Sequence, residues 1–430
     1  MRASFIFSNK NFLLLWSGNV VSHIGLQGVR IAYPLLVLAI TGSPISASLV
    51  AFALSLPGLI FEIPAGVAAD YWDRRRILVT CQRVGLAATL LAAAVIVVRP
   101  PGLALFLAVA AFAEGSAYVF FNTSELVLVR DVLAEEELPA AFSFLEAEQP
   151  IANMAGRTFG AITLGMARGL PFLANAISYI YCLWTLSRIP SRAAVEPRAA
   201  PAHRAPARIW DWGHVWAGMR SVRSDPFVFG STAIIAFTNV ILQAFILLIT
   251  VEVKDSGHPT WTIGVVLGAT GLGGLLAAAP SAGLVGRINP RIALTLMLWV
   301  WVVLCALMVI SSNPVVLAVC WMGVGFMAPI GNVPLTLNRV RAFPGDLVGR
   351  VFGASKLMTH GGTALGALMA GPLLSTLGIA TTGWLLVAAM VVLARQARRL
   401  QDPGSFAAAP PAVPANWIAR ASHRGPESYR

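Results

Sequence analysis

Gly66-Val67-Ala68-Ala69-Asp70-Tyr71-Trp72-Asp73-Arg74-Arg75-Arg76 is a compact charged hinge in a chain of which only 12% is charged. Apolar runs flank it, Ser46 to Ala65 on one side and Ile77 to Val98 on the other. Each is long enough to cross a bilayer as a helix, which takes roughly 20 mainly apolar residues. The order within the hinge is distinctive: Gly, three small or apolar residues, Asp, two aromatics, Asp, then three Arg. It joins two spans by a tight turn, and the rest of the chain repeats that plan.

The 430 residues are 57% hydrophobic, with a mean hydropathy of +0.74, well outside the range of a soluble domain. Successive apolar runs account for it, so the expected class is an all-α, polytopic membrane protein. The formal net charge of +12 falls mostly in alternate loops, which is the orientation signal of membrane proteins. A nucleic-acid partner is therefore not expected. Cys81, Cys182, Cys305 and Cys320 lie within apolar runs without a Cys-x-x-Cys pair, which suggests neither a disulfide framework nor a zinc site. The first apolar run is expected to remain as a span instead of being cleaved.

Reading apolar runs between charged or Pro/Gly breaks gives twelve spans, at roughly 11–39, 45–68, 77–98, 102–122, 141–167, 170–188, 226–251, 260–285, 291–311, 314–337, 350–375 and 377–396. Arg74–Arg76, Arg130, the 188–223 segment, Arg287, Arg291, Arg339, Arg341 and Arg350 fall on one side. The positive-inside rule makes that side, and with it both termini, cytoplasmic in a cell (inner or plasma) membrane. The expected organisation is a six-span bundle at 1–188, a Pro/Arg-rich linker at 189–225, a second bundle at 226–399 and a disordered tail at 400–430. Trp210, Trp212, Trp216 and Arg220 in the linker suit an interfacial helix on the inner leaflet. The halves echo one another: Gly156-Arg157-Thr158-Phe159-Gly160-Ala161 is matched by Gly362-Thr363-Ala364-Leu365-Gly366-Ala367. A six-plus-six parallel repeat is expected.

The 66–76 hinge resembles the signature loop between helices 2 and 3 of major facilitator superfamily transporters. Leu15-Trp16-Ser17-Gly18-Asn19 through Thr41-Gly42-Ser43, and Pro344-Gly345-Asp346-Leu347-Val348-Gly349-Arg350, resemble the drug and siderophore exporter branch, which includes macrolide and enterobactin effluxers. The likeness runs over 10–396. It implies that Asp70 and Arg74, with Arg75 and Arg350, latch the cytoplasmic ends of the two bundles, Asp70 facing the N-terminal end of span 11. Departures limit the transfer. Tyr71 replaces a basic residue, Gly283–Arg287 lacks the Asp in the second-half copy, Leu26 stands where an acid is frequent, and Gly156-Arg157 replaces the Gly-Pro of the antiporter motif.

Polar residues inside spans are expensive and mark candidate sites. Asn19, His23, Gln27 and Arg30 form one stripe on span 1, read as lining a water-filled cavity, with helix–helix hydrogen bonding as the alternative. Glu114, Tyr118 and Asn122 share a face of span 4. At about 1.5 Å per residue, Glu114 and His23 both lie near mid-membrane. Glu114 is expected to load and release a proton at a cavity shared with His23, or else to be a fixed partner of His23. Glu148 and Arg157 come from span 5; Glu146 fits the cytoplasmic face. Arg30 with Arg157 suggests a cationic outer chamber above a carboxylate layer, suited to an anionic or zwitterionic cargo. The competing reading pairs Arg157 with a carboxylate for packing. The second half offers Asn239, Gln243, Asn332, Thr336, Lys356 and His360, and Glu62 fits either the latch or the cavity.

With no phosphate loop, metal-ligand spacing or nucleophile elbow, no cofactor is expected and an enzyme is not. An ion gradient, most simply of protons, is the energy source left. The expected protein is a monomeric secondary transporter in the bilayer, a proton-coupled exporter of a small amphipathic cargo such as a drug, antibiotic or siderophore. The alternatives are an importer, proton-coupled or facilitative, of a small metabolite, and a non-transporting multi-span scaffold or membrane enzyme.

Overall fold

The computed structural model describes residues 10–132, 138–189, 212–284, 287–343 and 345–401. Thirteen helices follow in order: α1 (Lys10–Thr41), α2 (Pro44–Ile60), α3 (Glu62–Tyr71), α4 (Arg74–Val98), α5 (Leu103–Val132), α6 (Leu138–Met166), α7 (Leu170–Arg188), α8 (Trp212–Ser224), α9 (Pro226–Asp255), α10 (Thr260–Leu284), α11 (Pro290–Ile310), α12 (Pro314–Ala342) and α13 (Gly345–Arg399).

The sequence starts these helices with one repeated device. A short polar side chain caps free N–H groups and a proline follows at the first turn, where it has no hydrogen bond to lose. Asp225 Oδ1 accepts from the N–H groups of Phe227 and Val228 at 2.8 and 2.9 Å. Asn289 and Asn313 accept from Arg291 and Val315 at 2.8 and 2.9 Å, and Ser43 accepts from Ser46 at 3.2 Å. Gly378, at φ 76°, breaks α13 into two limbs, a left-handed conformation that glycine adopts without strain.

Among the described residues nine helices are long and apolar enough to cross a membrane, or ten when α2 and α3, bent by 49° at Phe61, count as one span. Separating the limbs of α13 and adding the 29-residue α6, whose Glu148 and Arg157 lower its hydropathy, accommodates the expected twelve crossings. The second span is thus not straight as the apolar run suggests. Pro57 lies inside α2, and proline removes a backbone donor and crowds the preceding turn.

Two bundles repeat each other's packing. In the first, α1 packs on α6 and α7, α2 on α5, and α4 on α5 and α7; in the second, α9 packs on α13, α10 on α12, and α11 on α12 and α13. The echoed glycines make the corresponding crossings. A Cβ on Gly156 would lie 2.4 Å from the Ile24 carbonyl of α1, and one on Gly362 would lie 2.1 Å from the Ala236 carbonyl of α9. Small residues at such crossings let backbones close without obstruction. The bundles meet along α2 with α13 and along α6 with α10. Gly264 and Gly268 of α10 press on Arg157, Thr158 and Met154, and Gly371 of α13 presses on Pro44 and Ser48. Lys254 Nζ reaches the Leu38 carbonyl at 3.4 Å. The sparsely charged end is therefore closed.

Residues 190–211 and 402–430 lie outside the described residues, and with them most of the expected linker and tail. The part of the linker that is described forms α8. It packs on α13 through Gly218, against the Arg350 carbonyl and Ala354, and through Val222, buried with Val228, Val351 and Ala354. Trp216 stays exposed. The expected interfacial helix thus rests one face on protein.

Candidate functional site

A cavity of about 120 Å³ lies between the bundles, with walls from α1, α2, α6, α9, α10 and α13. Arg30 and Arg157 line it from the first bundle, with Ser48 and Ser55; Gln243 and Thr363 line it from the second. The Arg30 guanidinium stands 4.5 Å from the centre of the Tyr118 ring, a favourable cation–π distance, and its Nε is buried without a hydrogen-bond partner. Arg157 Nη1 makes a long 3.4 Å hydrogen bond to the Leu267 carbonyl. The two arginines do share a chamber. Among the described residues neither forms an ion pair, so Arg157 is not paired with a carboxylate for packing.

Beside that cavity the first bundle encloses a compact ionisable group. His23 Nδ1 is 2.8 Å from Glu148 Oε1. One ligand atom each from His23, Glu125 and Glu148 lie within 4.8 Å of one another, all three residues buried. Asn19 donates from Nδ2 to Glu125 Oε1. Tyr118 ties the two parts together: its ring meets the His23 ring edge-on at 5.6 Å, its face carries Arg30, and its hydroxyl accepts from Gln149 Nε2 at 3.0 Å. Gln27 is buried on the same helix with its Oε1 unbonded. The same three donors could hold a divalent cation, since imidazole and carboxylate are ordinary ligands for one.

Glu114 is elsewhere. Asn175 Nδ2 reaches both Glu114 Oε1, at 3.3 Å, and Thr89 Oγ1, at 3.2 Å, fixing the acid among α4, α5 and α7. His23 and Glu114 therefore share no hydrogen bond, and neither lines the cavity between the bundles; the partners of His23 are Glu148 and Glu125. Residues four apart drift about 40° around a helix of 3.6 residues per turn, so the Glu114–Asn122 stripe slants, and its far end points at α4 and α7. Glu125 went unrecognised because the fourth span was expected to end near 122, whereas α5 runs to Val132. In the second bundle Asn239 donates to the Thr359 carbonyl at 3.2 Å and serves the α9–α13 crossing. Asn332 is exposed and absent from the cavity wall.

At the arginine-rich end, Arg75 donates from Nε and Nη2 to the Leu186 carbonyl at 3.2 and 3.0 Å. It ties α4 to the last turn of α7 within one bundle, not across to the other as the latch expectation had it. Arg74 Nε bonds the Ala69 carbonyl at 3.1 Å, and Arg350 is exposed. The Asp70 and Glu146 side chains lie outside the described residues. The bond across the seam is made by Glu62, 3.0 Å from Lys356 Nζ and 3.3 Å from His360 Nδ1. Lys356 and His360, read from their spacing as cavity residues, serve this contact.

Two repeated six-helix bundles around a polar cavity are the architecture of a membrane transporter. Residues 15–367 match the Major Facilitator Superfamily, and the chain belongs to it. It is 28% identical over 384 residues to the multidrug efflux pump Tap of Mycolicibacterium fortuitum, covering 84% of this chain and 89% of that one. In fold it resembles a bacterial homologue of the iron transporter ferroportin. The inward-facing structure of that protein gives a TM-score of 0.72 at 16% identity, covering 90% of this chain and 98% of that one. The outward-facing structure gives 0.61 at 17%, over the same shares. A mutant of the nucleoside transporter NupG gives 0.72 at 12% identity, over 90% of this chain and 99% of that one.

Proposed function

We propose that the protein is a proton-coupled exporter of small amphipathic molecules, acting by alternating access to the cavity between its bundles. The observation that carries this reading is the continuity from His23, Glu125 and Glu148 through Tyr118 to Arg30 on the cavity wall. A proton taken up by the buried group changes its charge next to Tyr118, and so alters the setting of an arginine that touches the cargo space. Coupling needs such a shared element, biased by both ligands. Export draws support from the named activity of the Mycolicibacterium relative.

The test uses proteoliposomes with an imposed pH gradient and a panel of acidic, neutral and basic fluorescent dyes. Antiport predicts that an acidic lumen drives accumulation of at least one dye. Protonophore should abolish it, and Glu148→Gln should too. Accumulation driven by an alkaline lumen would instead identify a symporting importer, and gradient-insensitive flux of every dye would sink proton coupling.

A further inference from the structure

We infer that the Arg30–Arg157 cavity binds an acidic head group, so that the cargo is an organic anion or zwitterion carrying a carboxylate or a similar planar oxyanion. As a statement about cargo this rests on the transport reading above; as a statement about binding it stands alone. A guanidinium stays charged under any physiological condition, and a charge at membrane depth is kept only when paired or when it serves a ligand. Among the described residues neither arginine forms an ion pair. The carboxylates that the interior offers are engaged elsewhere: Glu62 with Lys356, Glu114 with Asn175, Glu125 with Asn19 and Glu148 with His23. Two like charges thus line one enclosure, and among the described residues no acid forms an ion pair with either; Glu114, whose charge Arg30 feels only through space, is hydrogen-bonded to Asn175.

The wall fits an oxyanion in other ways. Gln243 and Thr363 supply neutral hydrogen-bonding groups from the opposite bundle, and Leu54 and Ile246 supply apolar surface. Forked N–H donors match planar oxyanions two bonds at a time. At about 120 Å³ the enclosure is smaller than the apolar cavity of roughly 150 Å³ that accepts benzene. It suits the acid head of a larger amphipathic molecule, with the remainder extending outside it. An acid bound there contacts both bundles and neutralises the arginines of one.

Benzoate, benzamide and benzylammonium share a shape and differ in charge, and sodium chloride tests a simple inorganic anion. Each is titrated into purified protein in nanodiscs, with no gradient, and read by calorimetry and by thermal unfolding. The expected result is benzoate binding roughly tenfold tighter than benzamide, with a rise in unfolding temperature, as losing a charged hydrogen-bonded pair would imply. Arg30→Gln and Arg157→Gln should each erase that preference, and Arg157→Lys should keep part of it while controlling for misfolding. Benzamide or benzylammonium binding as well as benzoate would overturn the inference. So would a preference surviving in the double Gln variant, chloride reproducing the benzoate effect, or none of the probes binding at millimolar concentration. Gradient-driven transport of a purely cationic dye with no benzoate binding would refute this inference and leave the exporter reading intact. Benzoate binding without gradient-driven flux would do the reverse.

Discussion

The Glu62 carboxylate, on the first turn of α3, stands 3.0 Å from Lys356 Nζ on α13, and His360 Nδ1 approaches its other oxygen at 3.3 Å. One acid of the first bundle is thus held by two bases of the second. Glu62 is nearly buried while Lys356 is half exposed, at 9% and 46% of the side chain, so solvent screens part of the attraction. Its worth is on the order of 1 kcal/mol or less. Even that biases which state of the bundles is populated. Glu62→Gln should slow turnover several-fold and leave benzoate affinity unchanged; initial rates against binding isotherms check this. An unchanged rate would mean the contact yields freely during transport.

Glu148 pairs with His23 in the interior, away from the cavity wall. Glu148→Gln keeps the shape and removes the charge that balances the imidazole. Gradient-driven accumulation should be lost, while counterflow, which needs no net proton movement, should continue. Loss of both in well-folded protein would place Glu148 in cargo binding instead of coupling.

The architecture was legible because its signals are one-dimensional: run lengths between charged or Pro/Gly breaks, the Gly156/Gly362 echo and the hinge at 66–76. The site was legible in part. Arg30 and Arg157 were joined correctly because both sit at similar depth on helices that cross. Glu125 was missed through a span boundary set nearly three turns before the end of α5, and Glu114 was misplaced because four-residue spacing slants across a helix. Glu62 was legible as a residue of the latch or the cavity, but its partners Lys356 and His360 were not, since which bases face it depends on how two bundles close.

Tyr118 touches both Arg30 and His23. Tyr118→Phe keeps the ring over the guanidinium and removes only the 3.0 Å bond from Gln149, so a modest loss of rate is expected. Tyr118→Leu removes the ring, and with it a contact of about 0.5–2 kcal/mol. The expected signature is slippage: cargo flux continues while the ratio of protons to cargo falls. Simultaneous pH-dye and cargo-flux recordings measure it. A fixed ratio in Tyr118→Leu would show that coupling runs by another route.

Gly160 meets Gly28 where α6 crosses α1, and Gly366 meets Val240 where α13 crosses α9. A Cβ on Gly160 would come within 2.4 Å of Gly28 Cα, and one on Gly366 within 2.5 Å of the Val240 carbonyl. Both obstacles are backbone, so neither can swing aside. Gly160→Ala and Gly366→Ala should each destabilise by about 1–3 kcal/mol, the range for overpacking a close-fitted interior. The equivalence of the two crossings predicts similar losses, read as lowered unfolding temperatures in detergent. Gly66→Ala, with nothing within 4 Å of the new Cβ, is the matched control.

Glu114 carries the sharpest contrast between sequence and structure. As the proton-exchanging acid of the cavity, its replacement by Gln would abolish gradient-driven transport. As the structure places it, Glu114 accepts from Asn175 between α4, α5 and α7, and a glutamine carbonyl can accept the same bond. Glu114→Gln should therefore retain proton coupling, and Glu114→Leu, which leaves Asn175 short of a partner, should lower stability by about 1–3 kcal/mol. Parallel pH-gradient assays on Glu114→Gln and Glu148→Gln decide it. Coupling lost in the first and kept in the second would return the proton site to Glu114.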